Sequence, residues 1–234
     1  MNDISCIRCV VFDLDDTLWP CLPPILNAEK VLYSWLQDNY PRVTTEYSIE
    51  GLREHRADFL LRNPRLSHDM TALRKQSLAE LAKTFNYSIA LANEGMSLFR
   101  YHRNQVSLFD DALPTINLLR EKFKIGSITN GNADLRAIGL GGYFDFIVTA
   151  EEAGVAKPDN AIFRYAQNKV KLESHELLYV GDHPENDVIG SKSSGWQALW
   201  FNPDSKEWPK ELSEEAQPIA QIQALSELPT LLKG

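Results

Sequence analysis

Residues 10–19 read VVFDLDDTLW, an apolar run that stops at a carboxylate. The β-branched and aromatic residues that open it predict a buried strand over residues 7–13. Side chains alternate along a strand, so Asp13 and Asp15 face one side while Leu14 faces the other. Two ionised carboxylates at the end of an apolar strand are costly without a cation, and Mg2+ prefers such oxygen ligands. An acidic turn after the strand is the alternative for this stretch alone.

The composition limits the class of protein. The chain has 234 residues, of which 44% are hydrophobic, enough for one large domain or for a domain with a sizeable insertion. A net charge of −8 argues against non-specific binding to nucleic acid or membranes, and a phosphorylated substrate would need a metal to supply positive charge. No signal peptide or membrane span is expected, and Cys6, Cys9 and Cys21 are expected to be reduced thiols. A cytoplasmic protein is therefore predicted.

The hydrophobic pattern changes twice along the chain. After the prolines Pro20, Pro23 and Pro24, which we expect to form a non-helical exit, the pattern becomes helical. Alternation of strand and helix begins near residue 112 and predicts a parallel sheet covered on both faces. The predicted helices of the first part lie near residues 25–40, 49–61, 70–85 and 89–104. The predicted later elements are helices at 112–122, 133–138, 160–170, 185–194 and 226–232 and strands at 124–129, 144–148, 177–180, 197–201 and 218–222.

Polar groups also follow one later strand and precede one later helix. Thr129, Asn130 and Gly131 end a strand, where a hydroxyl and free backbone N–H groups hold an anionic oxygen. An ordinary turn is the alternative. Lys157 and Pro158 precede a helix, and the proline would fix the ammonium near the helix start. The alternative is a solvated loop lysine.

A second group of carboxylates, Asp182 and Asp187, follows the strand that ends at Gly181. The glycine allows close approach of another group. In an open parallel sheet, ligands bind beyond the carboxyl ends of the strands, where the strand order reverses. We therefore expect Asp13 and Asp182 on neighbouring strands, sharing one cation.

The motifs occur in the order Asp-x-Asp-x-Thr, strand-Thr, Lys-Pro and Gly-Asp-x-x-x-Asn-Asp. This order resembles the haloacid dehalogenase-like hydrolase superfamily over residues 6–19 and 106–202, and the helical insertion is similar to that family's C1 type of cap. The resemblance implies an α/β fold with a Rossmann-like parallel sheet core over residues 1–21 and 106–234. It implies an all-helical cap domain over residues 22–105. The implied activity is Mg2+-dependent hydrolysis of phosphomonoesters.

The resemblance also assigns chemical roles. Asp13 would be the nucleophile and form an aspartyl-phosphate. Asp15 would protonate the leaving alcohol and then activate water. Thr129, with the Asn130 amide, would bind phosphoryl oxygens, and Lys157 would offset the negative charge.

The same resemblance implies a metal site. Mg2+ would be held by Asp13, by the backbone carbonyl of Asp15 and by Asp182. Asp187 would act as a ligand through water or as outer support. A metal and a lysine together would supply positive charge for phosphoryl transfer in an acidic chain.

Asp15 favours phosphoryl transfer, because dehalogenases of the family lack this aspartate and a halide needs no proton. A phosphomutase, an inactive family member and a non-catalytic phospho-accepting signalling domain are the alternatives.

The cap and the glycine-rich residues 139–144 resemble the bacterial branch that acts on FMN and on 5-amino-6-(5-phospho-D-ribitylamino)uracil of riboflavin synthesis. A nucleoside monophosphate or sugar phosphate is the alternative small-molecule ester. Trp19, His68 and Arg74 are candidate substrate contacts, against packing for Trp19 and a solvated helix face for the other two.

Overall fold

The computed structural model describes residues 4–232, and the chain divides into two compact units. One unit, called the core, contains the chain up to Pro20, Ser107–Gly131 and the chain from Leu135 onward. The other, called the helical unit, contains Cys21–Val106 together with Asn132–Asp134.

The helical unit is built from five α-helices within its described residues. These are α1 (Leu22–Asn39), α2 (Pro41–Glu46), α3 (Ile49–Arg62), α4 (Met70–Thr84) and α5 (Ala90–Arg103). The expectation of a non-helical exit is wrong at Pro23 and Pro24, which lie in the first turn of α1, where a missing N–H costs nothing. Helix α2 was not predicted. The Asp69 carboxylate caps α4 by accepting the Ala72 N–H at 2.7 Å.

The core contains six parallel strands in its described part, in the order β3-β2-β1-β4-β5-β6. These are β1 (Cys9–Phe12), β2 (Lys124–Thr129), β3 (Phe146–Thr149), β4 (Leu177–Gly181), β5 (Gln197–Phe201) and β6 (Ala220–Ile222). The strand order reverses at β1, because β2 pairs on one side of it and β4 on the other. Phe12 pairs with Val180, so the carboxyl ends of β1 and β4 lie side by side. The predicted parallel sheet is confirmed, and its reversal point is where such sheets bind ligands.

Helices cover the sheet and connect its strands. They are α6 (Ala112–Arg120), α7 (Ala150–Ala153), α8 (Asn160–Val170), α9 (Gly190–Ser193) and α10 (Leu228–Leu231). Helix α8 begins where predicted, because the Asp159 carboxylate accepts the Ala161 N–H at 2.8 Å. Ile162 and Phe163 on its apolar face pack into the hydrophobic interior beside β4.

Two predicted helices differ from the structure. Residues 133 and 134 are irregular and residues 135–139 form turns, because the segment is short and Gly139 has a φ of 89°. The prediction of a helix there is wrong. The helix predicted over residues 185–194 is divided into a π-helical turn, Pro184–Ile189, and α9. Such wide turns occur often at functional sites.

The chain leaves and re-enters the core at neighbouring points. The Phe109 N–H donates to the Leu18 carbonyl oxygen at 3.0 Å. Leu18 closes the turn after β1, and Phe109 precedes α6. The helical insertion therefore begins and ends at one place on the core.

Candidate active site

Asp13 lies directly after β1 and is buried. Its N–H donates to the Val180 carbonyl at 2.9 Å, which extends the pairing of β1 with β4 by one residue. The chain then turns back on itself, since the Leu18 N–H donates to the Leu14 carbonyl at 2.8 Å. Asp16 adopts a left-handed conformation in this turn, with φ of 59°, which aspartate tolerates better than most residues.

The same turn fixes the carboxylate of Asp15. The indole N–H of Trp19 donates to Asp15 Oδ1 at 2.8 Å, and the Trp19 side chain is fully buried. This placement corresponds to the packing alternative for Trp19. The tryptophan orients a residue with an implied proton-transfer role, and a direct contact with substrate stays a prediction.

Lys157 is the cation at the centre of the site. Its ammonium donates to Asp13 Oδ1 at 2.6 Å, to Asp187 Oδ1 at 2.7 Å and to the Tyr179 hydroxyl at 2.8 Å. The side chain is only 3% exposed. An ammonium has three protons, and each has one acceptor here. The solvated-loop alternative for Lys157 is therefore wrong.

Asp182 and Asp187 complete the carboxylate group. One carboxylate oxygen from each of Asp13, Asp182 and Asp187 lies within 4.8 Å of the others. The predicted close approach at Gly181 is confirmed, because a methyl group at this position would collide with the Asp187 carboxylate. The His183 N–H donates to Asp187 Oδ2 at 2.9 Å and holds the second oxygen of that carboxylate.

Two further side chains contact Asp182. The Thr17 hydroxyl donates to Asp182 Oδ1 at 3.3 Å, and Thr17 is fully buried. The indole N–H of Trp200 donates to the Asp182 backbone carbonyl at 2.8 Å. The threonine of the first motif and a tryptophan of β5 thus fix the position of Asp182. The role of Trp200 was not apparent from the sequence, which shows only an apolar strand there.

The site contains three carboxyl groups and one ammonium group, so their charges would not cancel if all of them were ionised. Burial raises the pKa of Asp13 well above its usual value, Lys157 opposes this rise, and Asp187 adds to it. Burial, with Asp187 as the next cause, raises the pKa of Asp182 to about 7. Burial alone would lower the pKa of Lys157, but Asp13 and Asp187 raise it, so the lysine stays cationic. Three carboxyl groups therefore accompany one ammonium, and a further cation would be needed to keep all three ionised.

Thr129 and Asn130 lie at the end of β2. The Thr129 hydroxyl accepts the Gly131 N–H at 3.0 Å. Asn130 holds the backbone of Lys157 from both sides: its Oδ1 accepts the Lys157 N–H at 2.8 Å, and its amide donates to the Lys157 carbonyl at 3.0 Å. The Asn130 side chain therefore positions the lysine, and binding of phosphoryl oxygens by Thr129 and the Asn130 amide stays a prediction.

Tyr179 is a site residue that the sequence analysis missed. Its hydroxyl accepts from Lys157 and donates to the Ile128 carbonyl at 2.9 Å. Burial and the neighbouring Asp187 raise the pKa of Tyr179 well above its usual value, so the hydroxyl keeps the proton it donates. The one available signal was a tyrosine within the otherwise aliphatic run before Gly181, since a buried phenol needs a polar partner.

The other two candidate substrate contacts lie in the helical unit. His68 is half-buried in the turn before α4. Arg74 is largely buried, lies over the Phe99 ring at 3.6 Å and pairs with Glu29 at 3.3 Å. Burial, with Arg56 as the next cause, lowers the pKa of Arg74 to about 9. Arg74 thus belongs to an internal ion cluster rather than to a solvated helix face, and a substrate contact by either residue stays a prediction.

The chain is similar to known proteins over most of its length. Residues 7–195 match the haloacid dehalogenase-like hydrolase family. The chain is 30% identical, over 230 residues, to the 5-amino-6-(5-phospho-D-ribitylamino)uracil phosphatase YigB of Escherichia coli, covering 97% of this chain and 96% of the relative. It is 27% identical, over 241 residues, to the ribulose-1,5-bisphosphate 5-phosphatase of Halopiger xanaduensis, covering 95% and 98%.

The chain also resembles solved structures over nearly its whole length. A structure described as 2-haloacid dehalogenase from Pseudomonas syringae pv. Tomato is similar, with a TM-score of 0.89, 38% identity and coverage of 97% of this chain and 98% of that chain. A structure described as a HAD phosphatase from Thermococcus onnurineus has a TM-score of 0.71 and 26% identity, and covers 97% and 99%. Among the described residues, none of the helices is both long enough and apolar enough to cross a bilayer.

Proposed function

Because the chain belongs to the haloacid dehalogenase-like hydrolase family, we propose that it hydrolyses a phosphomonoester of a small metabolite with Mg2+ as cofactor. The observation that carries the proposal is the group of Asp13, Asp182 and Asp187, in which the buried Asp13 and Asp187 both pair with the ammonium of Lys157. Such a group can place a nucleophilic carboxylate beside positive charge, as phosphoryl transfer requires.

The residues present fit a divalent cation. Their carboxylate oxygens are hard ligands of the kind that Mg2+ prefers, and a cation among them would allow the buried Asp13 to stay ionised. Asp13, Asp182 and the backbone carbonyl of Asp15 would hold the ion, with Asp187 as a direct or outer ligand. When bound, Mg2+ neutralises charge on the phosphoryl oxygens.

The proposed chemistry uses two aspartates in two steps. In the first, a carboxylate oxygen of Asp13 bonds to phosphorus, the phosphorus–oxygen bond to the alcohol breaks, and Asp15 gives its proton to that oxygen. In the second, Asp15 takes a proton from water, whose oxygen bonds to phosphorus while the acyl phosphate bond breaks. Inorganic phosphate leaves, and both aspartates return to their initial states.

Halide displacement is the second candidate, because a similar structure is described as a 2-haloacid dehalogenase. The presence of Asp15, held by Trp19 at 2.8 Å, favours phosphoryl transfer instead. A departing halide needs no proton, whereas an alkoxide does. A carboxylate placed to donate one is therefore useful only to the phosphatase.

The proposed substrate class rests on the relatives. The relative with 30% identity over nearly the whole chain is named for a phosphorylated riboflavin-pathway intermediate. We propose this intermediate or FMN as the substrate, and a sugar phosphate or nucleoside monophosphate as the next candidates. A pyrimidine 5'-nucleotidase of Escherichia coli, 36% identical over 127 residues, supports the nucleotide alternative.

The test is phosphate release from these four substrate classes with and without Mg2+, beside halide release from a 2-haloacid. We expect metal-dependent phosphate release and no halide. The Asp13→Asn variant should lose activity by a factor on the order of 10,000 or more, since no carboxylate can then attack phosphorus. The exposed Asp204 supplies a matched control, Asp204→Asn.

Three results would contradict the proposal in different ways. Halide release with no phosphate release would establish the second candidate. Transfer of one phosphoryl group to each chain without turnover would identify a phospho-accepting domain. Near-normal phosphatase activity in Asp13→Asn would show that another group is the nucleophile.

A further inference from the structure

A cavity lies in the core at the opposite end of the sheet from Asp13. Its volume is about 430 Å3, within the range of small-ligand sites. Arg8 precedes β1, Lys124 begins β2 and Asp145 precedes β3, so all three lie at the amino ends of parallel strands. Strand β1 separates this amino-end cavity from Asp13 by four residues, roughly 13 Å.

Four basic side chains line the amino-end cavity: Arg8, Arg120, Lys122 and Lys124. Arg8 pairs with Glu176 at 3.1 Å. Within the described part of the chain, the other three have no carboxylate oxygen within 4.0 Å of their charged nitrogens. Arg120 instead lies 5.4 Å from the centroid of the Tyr143 ring, a contact that leaves its charge unbalanced.

The acidic groups of the lining do not offset these cations. Glu121 and Asp145 contribute two negative charges against the three cations that remain once Arg8 is paired with Glu176. The Asp145 carboxylate is engaged by the backbone, since it accepts the Ile125 N–H at 2.7 Å. Helix α6 ends at Arg120, but the partial charge at a helix carboxyl end is only about half a unit. A local excess of positive charge therefore remains in a chain whose net charge is −8.

We propose that the amino-end cavity binds a small metabolite that carries two linked phosphoryl groups. Among the residues that the structure describes, Arg120, Lys122 and Lys124 have no ion-pair partner and supply several donors for phosphoryl oxygens, and a guanidinium binds such oxygens through two parallel hydrogen bonds. The apolar side chains of Phe123 and Leu172 also line the cavity and would cover the organic part of such a ligand. This site is separate from the phosphomonoester site and does not depend on its proposed activity.

The experiment uses methylenediphosphonate, whose P–C–P link resists hydrolysis, and the full chain with Mg2+ present. Binding is followed by calorimetry and by amide shifts in 15N-labelled protein. We expect shifts at Lys124 and Asp145, and these should persist in Asp13→Asn. Lys122→Glu should weaken the binding by about tenfold or more, because it reverses one of the unpaired charges. Phosphatase activity of Lys122→Glu should equal that of the wild type.

The matched control is Lys210→Glu, which makes the same charge change at an exposed residue outside the cavity lining. It should bind the probe like the wild type. Equal weakening by both lysine variants would indicate only general charge attraction and would overturn the proposal. Shifts confined to the region of Asp182, lost in Asp13→Asn, would also overturn it by placing all binding in the active site. Absence of shifts at Lys124 and Asp145 would do the same.

Discussion

The ammonium of Lys157 donates to the hydroxyl of Tyr179 at 2.8 Å, and that hydroxyl donates in turn to the Ile128 carbonyl at 2.9 Å. Tyr179 belongs to β4 and Ile128 to β2, the two strands that flank β1. The phenol therefore spans the strand that carries Asp13 and supplies the third acceptor of the lysine. It sets the direction in which Lys157 presents its charge.

Replacing Tyr179 by phenylalanine should lower kcat about tenfold with little change in KM. The substitution leaves a buried ammonium proton and the Ile128 carbonyl without partners, at a cost of about 1–3 kcal/mol. The lysine would then shift relative to Asp13, and such a shift affects the chemical step more than ground-state binding. Steady-state kinetics with a phosphomonoester measures this split.

Tyr165→Phe is the control for that variant. Its hydroxyl donates to Glu152 at 2.9 Å at the protein surface, so the control removes one phenol hydrogen bond from outside the site. It should behave like the wild type. Equal kcat values for Tyr179→Phe and the wild type would contradict the positioning role.

The stability of the metal-free protein should fall as pH rises from about 4 to about 7. The pKa of Asp182 is about 7 in the folded state, and the ordinary value of an aspartate is about 3.9. In this window the folded state holds a proton that the unfolded state has released, so raising the pH favours unfolding, by at most a few kcal/mol. Asp182→Asn removes this titration and should flatten the dependence.

Thermal unfolding at pH 5 and pH 8 in a chelating buffer measures the effect. The drop between the two pH values should be larger in the wild type than in Asp182→Asn, and added Mg2+ should reduce the wild-type drop. Asp204→Asn, at an exposed ion pair, should retain the wild-type drop. The same drop in Asp182→Asn as in the wild type would show that other groups dominate.

Trp19→Phe should lower kcat by an amount that depends on the leaving group of the substrate. The variant removes the N–H that holds Asp15 at 2.8 Å, so proton donation to the departing oxygen becomes less efficient. We expect about a tenfold loss of kcat for an alkyl phosphate and a smaller loss for an aryl phosphate, which needs little protonation. Trp196→Phe, which removes a buried indole that donates to Gln167 at 3.3 Å, is the control. Equal losses for both substrates would contradict the role in proton transfer.

Gly181→Ala should destabilise the protein by about 1–3 kcal/mol and raise the Mg2+ concentration needed for activity. The added methyl group would collide with the carboxylate of Asp187, which would have to move. Urea unfolding and a Mg2+ titration of the rate measure the two effects. Gly142→Ala adds the same methyl group where no neighbour lies within 4 Å, and it should be neutral. A neutral result for Gly181→Ala would mean that Asp187 can relax freely.

Sequence patterns predicted the elements whose signals are local. Strand β2 and helix α8 have the predicted bounds, because an apolar run and the capping residue Asp159 mark them. The adjacency of Asp13 and Asp182 was predictable from the rule for open parallel sheets, and the pairing of Phe12 with Val180 confirms it. These signals do not require knowledge of a distant partner.

The remaining features depend on contacts between distant residues. The Asn130 side chain binds the backbone of Lys157, 27 positions away, and Tyr179 binds Ile128, 51 positions away. No periodicity marks such pairs. The π-helical turn at Pro184–Ile189 likewise accompanies bonds of Asp187 to Lys157 and His183, which an ordinary helical pattern does not reveal.

The hydrogen bond between Leu18 and Phe109 has a consequence for the evolution of this chain. The core residues on either side of the inserted segment are hydrogen-bonded to each other. The segment's length and sequence can therefore change without moving the strands of the sheet. Loop-closure entropy also grows only slowly with length. The insertion can therefore change in length and sequence while the carboxylates and the lysine of the core are retained.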